Sequence, residues 1–189
     1  GKTKYIGGGE ESFGYLPGDF VRDKDGVAAI TLVAEAAAWA RETMGITLYE
    51  WLQQLYVKYG FFREGLVNVV RKGKDGAAEI QQMMVDYRQN PPKSILGSEV
   101  VKIYDYKTLE VLDVKSGTKS PIEGVEDKSN VLQWLTEDGT KVSVRPSGTE
   151  PKIKFYFGVK SKLESVDKFD ETLELLDAKI EALKAELKL

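Results

Sequence analysis

V-S-V-R-P-S-G-T-E-P-K-I-K-F-Y, residues 142–156, decides how this chain is read. Val142 and Val144 alternate with polar residues on one side, and Ile153, Phe155, Phe157 and Val159 do the same on the other, which predicts two half-buried strands. Residues 145–151 form the loop between them. Arg145 offers a planar fork of donors, Ser147 and Thr149 offer hydroxyls, and Gly148 lets backbone N–H groups converge into an anion nest. Pro146 and Pro151 stiffen both ends. A plain hairpin connection of the same composition is the other reading. The Arg placed beside hydroxyls and a Gly at one strand's end favours a phosphate. The Lys and following helix that a Walker A loop needs are missing.

Working outward, residues 131–135 and 141–144 form a hairpin closed by an Asp138-Gly139 turn. Upstream, strands are expected within 61–71, over 100–106 and over 109–114, and 116–129 is a polar surface excursion. Asp75 is expected to cap a helix carrying Ile80, Met83, Met84 and Tyr87, which Pro91-Pro92 ends. Downstream, Ser161 and Glu164 make a capping box before a stripe of Val166, Phe169, Leu173, Leu176, Ile180, Leu183 and Leu187. That stripe suits a coiled-coil partner or a helix covering the sheet, and a sheet of this kind needs a cover.

A domain boundary is placed near Gly60. Before it, Asp25 is the N-cap of a helix over 27–44 whose Ile30, Val33, Ala37 and Ala40 share a face, with Gly45 as its stop. Thr47 and Glu50 form a capping box, Ile46 staples to Trp51, and the helix beyond carries Trp51, Leu52, Leu55 and Tyr59 as core. Asp23-Lys24-Asp25-Gly26 opens like a calcium loop but lacks the bidentate Glu. Near the start, a strand stub at 4–6 runs into three glycines, after which Glu10 and Ser12 would set a carboxylate and a hydroxyl on one side of an extended loop. That suits a polyol, and it also suits a plain loop.

The 189 residues carry 27 basic and 30 acidic side chains, a net charge of −3, which argues against a nucleic-acid footprint. Any bound anion must be held locally. The absence of Cys rules out disulfides and thiolate zinc sites and suits a reducing cytoplasm; the absence of His leaves carboxylates, Lys and Tyr for acid–base work. No signal peptide or membrane-spanning run is visible. Gly1 where a Met would start a chain predicts a fragment.

The loops G-G-E-E-S-F-G at 8–14 and R-P-S-G-T-E-P at 145–151, in this order, together resemble those of the α-D-phosphohexomutase family, whose members include phosphoglucomutase and phosphomannomutase. The resemblance implies an α+β chain. Residues 1–60 would be the helical remainder of a truncated α/β third domain, and 61–189 a small fourth domain, TATA-box-binding-protein-like, with a mainly antiparallel sheet covered by two helices. It assigns Glu10 and Ser12 to sugar hydroxyls and Arg145, Ser147, Gly148 and Thr149 to the substrate's phosphate. It implies hexose 1-phosphate and 6-phosphate as substrates, hexose 1,6-bisphosphate as intermediate, and Mg2+ and a catalytic Ser in domains absent from this chain. The expected partners are the phosphosugar and those missing N-terminal domains, without nucleic acid or membrane. No catalytic or metal-binding residue is assigned here, so the chain alone should be inactive. The alternatives are a free-standing phosphosugar-binding module and phosphomannomutase specificity; E-E-S-F-G inclines to glucose.

Overall fold

A computed structural model describes residues 4–9, 14–20, 23–71 and 73–189. The chain divides into two units, Gly1–Lys58 and Tyr59–Leu189.

In the first unit, β1 (Gly8–Gly9) pairs antiparallel with β2 (Tyr15–Leu16). Helix α1 (Gly26–Met44) starts where the Asp25 carboxylate accepts from the Val27 and Ala28 N–H groups, at 2.9 and 3.1 Å, and stops at Gly45, φ 70°. The Thr47–Glu50 box opens α2 (Leu48–Tyr59): Glu50 N–H donates to Thr47 Oγ1 at 3.2 Å, and Thr47 N–H donates to Glu50 at 2.7 Å. The Thr47 N–H bond is the main cause holding the Glu50 carboxyl below its ordinary value. The expected cores of these helices are not buried. Ile30 is 73% exposed and Tyr59 65%, Leu52 is exposed too, and of α1 only Ala40 is fully buried. The reason is physical: the unit's described residues supply two strands of two residues each, too little sheet to cover an apolar helix face.

The second unit runs β3 (Phe61–Val70), α3 (Gly73–Gln89), β4 (Ser94–Ile95), β5 (Ser98–Asp105), β6 (Glu110–Asp113), β7 (Lys119–Pro121), β8 (Leu132–Thr136), β9 (Lys141–Pro146), β10 (Lys152–Ser161), a 3-10 turn (Val166–Lys168) and α4 (Phe169–Glu186). Its sheet has the order β3-β10-β9-β8-β5-β6-β7, every pairing antiparallel, with β4 hooked onto β5. Strand β10 shows why one face is covered. Ile153, Phe155, Phe157 and Val159 are buried and the residues between them are not, so a single side of the sheet is apolar. Helix α3 packs on β9 and β10, and α4 on β10 and β3. They contribute Ile80, Met84, Leu176, Ile180 and Leu183 to the core. The stripe on α4 therefore covers the sheet. Gly65 on β3 sits beneath α4, where an added Cβ would lie 2.8 Å from Ile180 Cγ2.

Three local expectations are corrected. Asp75 lies inside the first turn of α3, which begins two residues earlier at Gly73; its charge still suits the positive end of the helix. The polar stretch 116–129 contains β7, paired through Leu112↔Lys119 and an ion pair from Lys119 to Glu110 at 3.1 Å. Ser161 and Glu164 cap nothing: Ser161 ends β10 opposite Phe61, Glu164 pairs with Lys162, and α4 starts only after the 3-10 turn, without a side-chain cap. The strand outlasts the box because its ladder with β3 continues to residue 161.

The β8–β9 hairpin closes through a four-residue turn with Gly139 at φ 80°. Asp138 in it accepts from Thr136 Oγ1 at 2.6 Å, from the Thr140 N–H at 3.0 Å and from Lys179 Nζ of α4 at 2.6 Å. Partial burial opposes its ionisation, but the bonds from Lys179, Thr136 and Thr140 outweigh that and hold the carboxyl far below the usual range. A depressed folded pKa contributes stability that is present above the unfolded value of about 3.9 and lost as pH falls below it. With 41% of the side chain exposed, solvent screens the Lys179 bond. Asp138→Asn should therefore cost about 1 kcal/mol near neutral pH, and the difference from the parent should vanish near pH 2. Urea titrations at both pH values check it; an equal deficit at both would show that charge is not the cause.

Candidate functional site

Residues 147–151 join the two strands β9 and β10. The turn is framed by Ser147 N–H donating to Lys152 O at 2.8 Å, Lys152 N–H to Glu150 O at 2.7 Å, and Arg71 N–H to Pro151 O at 2.9 Å. Inside it, the N–H groups of Thr149 and Glu150 converge on Ser147 Oγ, at 3.4 and 3.3 Å. Two donors aimed at one oxygen are what an anion uses, and at these lengths the hydroxyl holds them weakly. Gly148 has no positive φ, and a Cβ added there would meet nothing within 4 Å. Neither backbone strain nor packing demands glycine, and its bareness leaves open space beside the converging donors.

Arg145 stands at the base of this turn. Val144 and Pro146 are buried, so alternation sends Arg145 to the sheet face that carries no helix. The register Lys154↔Arg145 sets those two cations side by side, and the burial of Ile153 puts Lys152 on that face as well. Arg145 is exposed, and among the described residues nothing pairs with its guanidinium. Lys154 lies 5.8 Å from the Tyr156 ring centroid. Next to the turn, Lys152 is ion-paired with Glu150.

On its other side the turn borders a cavity of about 360 Å³, reached by Ser147, Gly148, Thr149 and the Gly73 and Ala77 positions of α3. A larger cavity of about 780 Å³ shares no residue with the turn and has an apolar floor of Val100, Ile103 and Leu112. The turn can hold a small, multiply charged anion by its end: cations at the base, hydroxyls and N–H donors at the rim.

Ser147, Gly148 and Thr149 thus share one turn, with Arg145 at its foot. Glu10 and Ser12 lie outside the described residues. Residue type alone does not single out Lys152, Lys154 and Glu150. The signal was there, since the parity that buries Ile153 and Phe155 sends the two lysines to the side of Arg145. Among the described residues, no three Asp or Glu side chains gather closely enough to hold a metal ion. No described helix is long and apolar enough to cross a membrane.

Residues 66–176 match the family described as Phosphoglucomutase/phosphomannomutase, C-terminal domain, and residues 1–59 match Phosphoglucomutase/phosphomannomutase, alpha/beta/alpha domain III. Similar curated proteins include the phosphoglucomutases of Staphylococcus aureus strains MRSA252 and MSSA476, each 37% identical over 171 residues, which are 90% of this chain and 29% of the relative. The chain thus spans less than a third of their length. Among solved structures, the open form of the exocytosis-sensitive phosphoprotein pp63/parafusin, a phosphoglucomutase from Paramecium, is similar with a TM-score of 0.49 and 18% identity, over 82% of this chain and 25% of that one.

Proposed function

This chain belongs to the phosphoglucomutase/phosphomannomutase family, and from that premise we propose that it is the substrate-binding C-terminal part of an enzyme interconverting hexose 1-phosphate and hexose 6-phosphate. Residues 61–189 form its phosphate-holding fourth domain, and 1–60 the later part of its third. Arg145, Ser147, Gly148 and Thr149 grip the phosphate that is not reacting; Glu10 and Ser12 read the sugar hydroxyls. A grip on the remote end positions the reacting end, and the same two clamps serve both orientations of a hexose 1,6-bisphosphate. The transferred phosphoryl group and Mg2+ belong to parts of the enzyme outside these residues, so this chain by itself turns nothing over. The short share of each relative that it spans supports that division of labour. Glucose is favoured over mannose by the E-E-S-F-G form at 10–14 and by the phosphoglucomutase relatives. A cytoplasmic enzyme suits the Cys-free composition.

The observation that carries this reading is Arg145, unpaired among the described residues, beside Lys154 at the base of a turn whose N–H donors converge. The test is a titration of inorganic phosphate and glucose 1-phosphate followed by backbone amide shifts. Gly148 and Thr149 amides should move in the parent, and Arg145→Ala should weaken binding about tenfold or more, the worth of a charge-assisted pair. Silence of residues 145–150 at high ligand concentration would remove phosphate recognition from this chain.

A further inference from the structure

At the foot of the turn one carboxylate stands among cations. Glu150 is ion-paired with Lys152, whose side chain is only 27% exposed while that of Glu150 is 59% exposed. The Glu150 carboxyl is held below its ordinary value by the hydrogen bond from Lys152, then by the charge of Lys152 and, further off, that of Lys154. Lys152 and Lys154, the cations of β10 next to the turn, point toward Arg145's face. The Glu150 N–H meanwhile donates to Ser147 Oγ, so both its backbone and its side chain engage groups that an incoming phosphate would use.

We infer that Glu150 is a tethered stand-in for the ligand: its carboxylate occupies the lysine face of the phosphate turn and must swing out when a phosphate enters. This rests on the reading of 145–149 as a phosphate clamp and adds a positioning residue that the clamp itself does not include. A dianion brought beside a carboxylate that stayed in place would be repelled by it, while sharing the same two ammonium groups. The exposed half of Glu150 has room to leave, and the pair it gives up is a solvent-screened one that costs little to break. The consequence is selectivity. A monoanion gains too little from the turn to displace the built-in carboxylate, whereas a phosphate dianion, with Arg145 and the N–H donors as added partners, gains enough.

The test compares inorganic phosphate binding to the parent chain and to Glu150→Gln, which keeps size and hydrogen-bonding capacity and removes the charge. Binding to Glu150→Gln should be about three- to tenfold tighter, and the gain should shrink at high salt because its origin is electrostatic. Glu150→Asp, retaining the charge, should stay within about twofold of the parent, which separates charge from loop structure. Unchanged or weaker binding to Glu150→Gln, with the parent still binding, overturns the stand-in and leaves the clamp intact. If neither protein binds phosphate, the clamp reading falls and the stand-in falls with it.

Discussion

Phe155→Ala should destabilise the second unit by about 3–5 kcal/mol, a large fraction of what a domain of this size has to lose. Phe155 has no exposed surface and sits mid-strand on β10, facing Val67 on one neighbour and Val144 on the other. The Tyr87 ring of α3 meets it edge-on at 6.2 Å, and the same ring meets Trp134 at 5.2 Å. Removing the phenyl group therefore opens a void under three elements at once, and partial collapse recovers only part of it. Urea unfolding of the unit should show a lower midpoint with an unchanged slope. A loss below about 1 kcal/mol would mean that α3 settles into the gap, and the packing argument for its placement would fail.

Gly65→Val should cost about 2–3 kcal/mol, against the direction that strand preference alone predicts. Valine favours a strand over glycine, but its Cβ would start 2.8 Å from Ile180 Cγ2, and Ile180 is itself buried at 4% exposure. The helix must lift or the isoleucine must leave its rotamer. Gly65→Val combined with Ile180→Ala should recover part of the loss, because the second change removes the atom the first one meets. Additive losses in the double variant would show that Gly65 is needed for something other than the approach of α4.

What could be read from the sequence follows how local each cause is. The alternations of β9 and β10 are legible because one face is buried along their whole length, and α4's stripe is legible for the same reason. Strand β7 is exposed at all three residues, so no alternation marks it. The start of α4 is not legible because Ser161 looks like a cap locally, while its partner in the ladder, Phe61, lies at the other end of the unit's sequence. In the first unit, apolar spacing told which side of each helix wants burial but not whether anything covers it. At the site, Arg145 and the hydroxyls could be singled out by residue type. That Lys154 stands beside Arg145 depends on strand register, and that Glu150 turns back onto Lys152 depends on the shape of the turn.

The ladder between β3 and β10, from Phe61↔Ser161 to Val70↔Lys152, joins the first strand of its unit to the last. On a ribosome, β3 emerges early and has no partner until β10 has followed, and the Ile180 that settles over Gly65 comes later still. Until then both edges of β3 are unpaired, where in the finished sheet only its outer edge stays open, a hazard that grows with the time spent waiting. Closure that late makes folding slow relative to a helical domain of equal length. It also makes the unit close to all-or-none during synthesis: a nascent chain stalled before residue 161 holds the 147–151 turn in its sequence but lacks the full β3–β10 ladder.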